Sequence, residues 1–434
     1  MSNTLLKRQL GLSGAVIMGL GSIIGTGVFV SLGLAAGITG PSVVLAVAIA
    51  AGVALCNGLS AAQLAANHPV SGGTYEYGYR YLNPWLGFTA GWLFLLAKSA
   101  SAATAALGFS GYLLNILGLG DRWIVPLALA TVVVMTGIVL NGIQRSNQVN
   151  LAILTVTFVS LTFFVLAGLP LALSQGGMLL VPFFGGDHPG WAAVLQASAL
   201  MFVAYTGYGR ITTMGEEVHQ PEITIPRAIL LTLGITMTLY MSIALVGVAA
   251  VGVDTLQQGA LIQAAPLAVA AERFGIPGSS VVLTVGAIAA MLGVLLNLIL
   301  GLSRVLLAMG RRGDMPRAVA RVNANRTTPP IAVIVMGTVT GVLVLLGNVK
   351  TTWSFSAFTV LSYYALTNLA ALRLSRSERK YPRWTTWIGF LACLSLAFWV
   401  EWQVWLVGLG IILIGLAWKM LINDWTKPRS HRER

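Results

Sequence analysis

Gly19-Leu20-Gly21-Ser22-Ile23-Ile24-Gly25-Thr26-Gly27-Val28-Phe29 sets four glycines within nine residues, in the middle of an apolar run. An uninterrupted helix gains nothing from glycine, which costs about 1 kcal/mol relative to alanine. Two readings of the stretch compete. Gly21-x-x-x-Gly25 is the spacing of a helix-packing face. Alternatively the helix unwinds here and turns free backbone groups toward a cavity, the only place where irregular backbone survives at membrane depth. A dinucleotide loop is excluded, because no strand precedes the glycines.

The rest of the chain explains why membrane depth is the right frame. Of 434 residues, 56% are hydrophobic and 9% charged, and the mean hydropathy is +0.83. Soluble domains carry about 25% charged residues, so soluble enzyme folds and disorder are both excluded. Taking roughly 20 apolar residues per crossing predicts twelve spans. They are 12–36, 41–66, 84–117, 123–141, 149–174, 190–215, 226–252, 278–309, 329–347, 352–373, 384–400 and 402–421. The first follows Lys7 and Arg8 and is too long for the apolar part of a signal peptide.

The charges support this count. With twelve spans, 21 of the 26 Lys and Arg residues fall on the side of the termini. Arg122, Arg273 and Lys350 fall on the other side, and Lys98 and Arg210 lie within spans. Such asymmetry marks the basic side as cytoplasmic, so both termini are expected in the cytoplasm of a cell with this protein in its inner or plasma membrane. The net charge of +13 therefore reflects orientation and not nucleic acid. The basic loops 310–328 and 374–383 set topology, with anionic lipid as a further contact. Cys56 and Cys393 are far apart in apolar segments and imply no disulfide framework.

Span 6 repeats the anomaly of span 1. Phe202-Val203-Ala204-Tyr205-Thr206-Gly207-Tyr208-Gly209-Arg210-Ile211-Thr212-Thr213 gathers glycines and hydroxyls at mid-span, and Gly207 lies 182 residues after Gly25. Paired interrupted helices in two halves point to a transporter's binding site. The expected fold is therefore all-α, with an inverted repeat of five plus five helices. Residues 1–175 form the first repeat, 190–373 the second and 384–421 two added helices, followed by a basic cytoplasmic tail, 422–434. At the breaks, N–H groups near Thr26 suit a carboxylate. Carbonyls of Ile23, Val203 and Thr206 suit an ammonium. A ligand needing both is an α-amino acid.

These segments together resemble the amino acid–polyamine–organocation (APC) superfamily of permeases. Gly21 to Phe29 is similar to its first-helix signature. Pro69-Val70-Ser71-Gly72-Gly73-Thr74-Tyr75, Gly91-Trp92, Gly108-Phe109-Ser110-Gly111-Tyr112, Gly215-Glu216-Glu217-Val218, Ile225-Pro226-Arg227-Ala228, Ser303-Arg304 and Asp314-Met315-Pro316 agree with it. The resemblance implies substrate held by unwound helices 1 and 6: Ile23, Ile24, Gly25, Thr26 and Gly27 from one, Val203, Tyr205, Thr206, Gly207 and Tyr208 from the other. The two tyrosines either line the side-chain pocket or pack between helices.

Three positions depart from the family's pattern. Thr157 stands where some proton-coupled relatives have a lysine; it cannot carry a proton but could ligate sodium. Lys98 and Arg210 are intramembrane cations with no acid in any span centre, and such residues carry a functional hypothesis by default. Lys98 is a candidate carrier of the coupled proton, or a cap on the carbonyls of a broken helix. Arg210 is a partner for an anionic substrate or for the Glu217 region. Two cations without a buried acid rank neutral amino acids first, acidic ones second and cationic ones last.

The expected partners are an amino acid and membrane lipids, with protons ranked ahead of sodium as coupling ion, and no cofactor or nucleic acid. The rival readings are a carrier of another small amine or metabolite, and a transporter-like sensor that binds without flux. An enzyme is not expected: all four histidines lie outside the spans and no metal-ligand spacing occurs.

Overall fold

The structure, a computed structural model, describes residues 10–426 except 71, 142–146, 176, 185–189, 214–217, 263, 324–327 and 347. Glu216, Glu217 and the tail 427–434 therefore lie outside the described residues. The described chain is helical. Helix α1 (Leu12–Ile23) is followed by a π-helical turn, Gly27–Ser31, and α2 (Leu32–Thr39). A turn at Gly40 (φ 67°) leads into α3 (Val43–Asn67). The short α4 (Thr74–Tyr77) and a π turn, Gly78–Leu82, precede α5 (Pro84–Leu117), α6 (Ile124–Leu140) and α7 (Asn147–Ser174). Next come α8 (Trp191–Tyr205), a 3-10 turn Thr206–Tyr208, α9 (Gly209–Thr212), α10 (Pro221–Ile262) and α11 (Pro266–Glu272). The chain finishes with α12 (Ser279–Arg312), α13 (Pro330–Leu346), α14 (Val349–Leu372), α15 (Arg383–Ala397) and α16 (Trp402–Thr426).

Local chemistry sets these boundaries. Asn83 accepts from Leu86 N at 2.9 Å and is followed by Pro84, which starts α5. Such a cap satisfies an N–H that the first helical turn cannot. Left-handed glycines end α5 at Gly118 and α12 at Gly313. Helix α10 departs from helical geometry at Gly252 (φ 77°), the position where span 7 was expected to end.

Among the described residues, eight helical segments are long and apolar enough to cross a bilayer, and one of them, 12–67, runs for 56 residues. The outer surface is aliphatic: Val133, Leu166, Leu173, Leu345, Leu413 and Ile414 are all more than 60% exposed. The interior instead holds buried hydroxyls. Between α5 and α14, Ser101 meets Ser356 at 2.8 Å, Ser356 donates to Ala97 O at 3.0 Å, and Thr104 donates to Thr352 at 2.8 Å. Without water to drive apolar association, small polar contacts of this kind hold membrane helices together.

The segment 74–82 is anchored to the ends of α12 and α16. Buried Asp314 accepts from Tyr75 Oη at 2.8 Å and from Tyr79 Oη at 2.7 Å, and it pairs with Lys419 Nζ. Burial and the adjacent carboxylate push both phenols up from their ordinary value, which keeps them protonated as donors. Arg312 stacks over Tyr79 at 4.1 Å and pairs with Glu76 at 2.5 Å.

Candidate functional site

Helix α1 stops because Ile24 is extended (ψ 108°), its N–H still bonded to Leu20 O at 2.9 Å. The helix restarts at once: Val28 and Phe29 both donate to Gly25 O at 3.2 Å. The N–H groups of Gly25, Thr26 and Gly27 thus stand at the head of a new helix, where a helix offers them no acceptor. The packing-face alternative does not describe Gly21, which has open space around it. Glycine is needed where the breaks touch. A methyl on Gly27 would meet Ala204 Cα at 2.6 Å, and one on Gly207 would fall on the Ser22 carbonyl. The two interruptions are therefore in backbone contact.

Around that contact lies a cavity of ≈ 40 Å³. Ser22, Ile23, Thr26 and Gly27 line it from the first break, and Val203, Ala204, Thr206 and Gly207 from the second. Lys98 and Ser101 reach it from α5, Val294 and Leu298 from α12, and Trp353 from α14. Thr26 Oγ1 is buried without a hydrogen-bond partner. Lys98 Nζ donates to Thr206 Oγ1 at 3.1 Å, and that hydroxyl donates to Val203 O at 2.8 Å. Lys98 is the one charged side chain among the described residues lining the cavity.

The carbonyls expected to hold an ammonium already receive protein donors. Tyr240 Oη donates to Ile23 O at 3.0 Å; Thr206 O accepts from Tyr364 Oη at 3.1 Å and from Gly209 N–H; Val203 O accepts from both the hydroxyl and the N–H of Thr206. A carbonyl oxygen has two lone pairs, so Ile23 O keeps one acceptor site, while Val203 O and Thr206 O have both of theirs engaged.

The remaining expected site residues lie outside this lining. Ile24 is buried, and Gly25 packs against Val294. Tyr205 and Tyr208 are buried in ring contacts with Tyr240 (5.2 Å) and Tyr364 (5.4 Å). Thr157 donates to Ile153 O at 2.8 Å. Arg210 sits on α9, past the break. Ser22, Ser101, Ala204, Val294, Leu298 and Trp353 were not foreseen. For two of them a signal exists: Ser101 follows Lys98 by three residues and Leu298 follows Val294 by four, the spacings of one helix face.

The family model described as amino acid permease matches residues 14–428. This chain belongs to the amino acid permease family. It is accordingly a multi-pass integral membrane transporter of the APC superfamily and not an enzyme. An uncharacterized transporter of Mycobacterium tuberculosis is 39% identical over 412 residues, covering 95% of this chain and 90% of the relative. A branched-chain amino acid permease of Bacillus subtilis is 28% identical over 397 residues, 87% of this chain and 83% of that one. A vacuolar cationic amino acid transporter of Arabidopsis thaliana is 27% identical over 360 residues, 78% of this chain and 58% of that one. Family members thus carry names for substrates of different charge, and the cavity's own chemistry must discriminate between them.

Proposed function

We propose that this permease is a secondary transporter that carries amino acids across the cell membrane by alternating access. Neutral side chains are preferred, acidic ones come second and cationic ones last. One observation carries this reading: two helix interruptions, 182 residues apart, meet at one cavity lined by residues of both. The substrate carboxylate binds the N–H groups of Gly25, Thr26 and Gly27, at the positive end of the restarted helix. Its ammonium binds the free lone pair of Ile23 O and shares the engaged carbonyls of Val203 and Thr206. Its side chain faces Ser101, Val294, Leu298 and Trp353.

The same reading includes twelve spans, the inverted repeat and cytoplasmic termini. The ion pairs are consistent with it. Asp314–Lys419 and Glu76–Arg312 join segments that the charge count assigns to the cytoplasm, and Lys350–Glu401 joins two assigned to the outside. Rocking of the first two helices of each repeat against the rest, hinged at the breaks, gives alternate access. A proton or a counter-transported amino acid drives it, and sodium ranks behind both.

The test is uptake of a labelled amino acid panel by proteoliposomes, with and without proton and sodium gradients. Uptake or exchange of neutral amino acids that arginine and lysine fail to inhibit is expected. Binding without flux would leave a sensor, and neither binding nor flux would remove the amino acid reading.

A further inference from the structure

Lys98 stands at the ammonium end of the cavity. Its one hydrogen bond among the described residues is to Thr206 Oγ1, which in turn caps Val203 O. Val203 and Thr206 close the C-terminal end of α8, the end of a helix that attracts cations. The lysine therefore occupies, through Thr206, the same carbonyl terminus that the substrate ammonium is proposed to use.

The charge of the described residues around it is not balanced. Among the described residues no carboxylate lines the cavity, and Lys98 belongs to none of the ion pairs. Among the described residues, the lining from spans 1, 3, 6, 8 and 10 contains no second titratable side chain. Farther along those elements are Tyr205, Tyr208 and Arg210 on span 6, Arg304 on span 8, and Tyr363 and Tyr364 on span 10; Tyr240 approaches from α10. Of these, Tyr364 touches Thr206 and Tyr240 touches Ile23, each at a carbonyl.

We propose that Lys98 is the charge-balancing residue of the site: protonated when the site is empty, it gives up its proton when a neutral amino acid binds. The inference rests on the amino acid reading above. A zwitterion would set its ammonium at the carbonyl terminus that Lys98 already reaches through Thr206, so with Lys98 protonated two ammonium groups would stand side by side in a low dielectric. That arrangement is strongly disfavoured. Loss of one proton from Lys98 Nζ to water restores neutrality, with no bond changed except N–H. The neutral amine can still donate to Thr206. An acidic amino acid brings the second carboxylate itself, so Lys98 keeps its proton. A cationic amino acid leaves an excess charge that losing one proton does not remove, which agrees with its last place in the ranking.

Coupling follows from this exchange. The loaded carrier crosses without the proton and the empty carrier returns with it, so neutral substrate and proton move in opposite directions.

Titration calorimetry of the purified protein, with leucine and with glutamate in buffers of different ionisation enthalpy, counts the protons exchanged. Leucine should release about one proton per site, and its Kd should fall up to about tenfold per pH unit while Lys98 is protonated in the empty site. Glutamate should release none. Lys98→Met and Lys98→Gln should bind leucine with no proton release and a flat pH profile. Leucine binding to the wild type without proton release overturns the inference, whether or not the variants fold. So does equal release by the variants. Failure of the wild type to bind any amino acid overturns the amino acid reading, and this inference with it.

Discussion

Glycine has opposite roles at and beside the two interruptions. At Gly207, and at Gly27 facing Ala204, the missing side chain lets two backbones touch, whereas Gly21 faces open space. Gly207→Ala should therefore destabilise by about 1–3 kcal/mol, the usual cost of overpacking, because the atom it meets is a carbonyl and not a side chain that can rotate away. Gly21→Ala should be neutral or stabilise by about 0.5–1 kcal/mol through helix propensity. Thermal unfolding followed by size-exclusion chromatography in detergent separates the two. Equal melting temperatures would remove the close-approach argument. The break itself is legible in the sequence as glycine density. The orientation of Tyr205 and Tyr208 is not, since a buried aromatic packs on a neighbouring helix or lines a pocket equally well.

Among the elements, the segment 74–82 owes its position to Asp314. This carboxylate unites two tyrosines from one loop, the end of α12 and Lys419 of α16. Breaking a buried ion pair on one side costs about 3–5 kcal/mol, because the other charge is left without a partner. Asp314→Asn should lower stability on that scale, and Lys419→Met in the same chain should restore part of it. A double-mutant cycle on melting temperature reads the coupling; strictly additive losses would show that the two residues do not act together. Asp314-Met315-Pro316 was legible as a motif. Its partner is 105 residues away, and no periodicity in the chain connects the two.

For the whole molecule, charge asymmetry and the span count stand or fall together. In a chain with Cys56 and Cys393 replaced, Arg122→Cys should react with an impermeant maleimide from outside intact cells. Arg376→Cys should react only in inverted vesicles. Both positions are exposed, so access decides the outcome and burial does not. Labelling of both from one side would overturn the twelve-span arrangement.

Sequence alone determined that the chain lives in a bilayer, that its helices follow the apolar runs, and that two of them are interrupted. Each of these is a local property, written in composition and in the residues that a regular helix tolerates poorly. Only the tertiary structure decided that the two interruptions touch and that Lys98 from α5 reaches the second. It also decided that Trp353, Val294 and Leu298 complete the cavity. Those contacts join residues more than a hundred positions apart. In a membrane, where apolar burial does not choose between helix faces, close approach at glycines and hydrogen bonds between helices decide them.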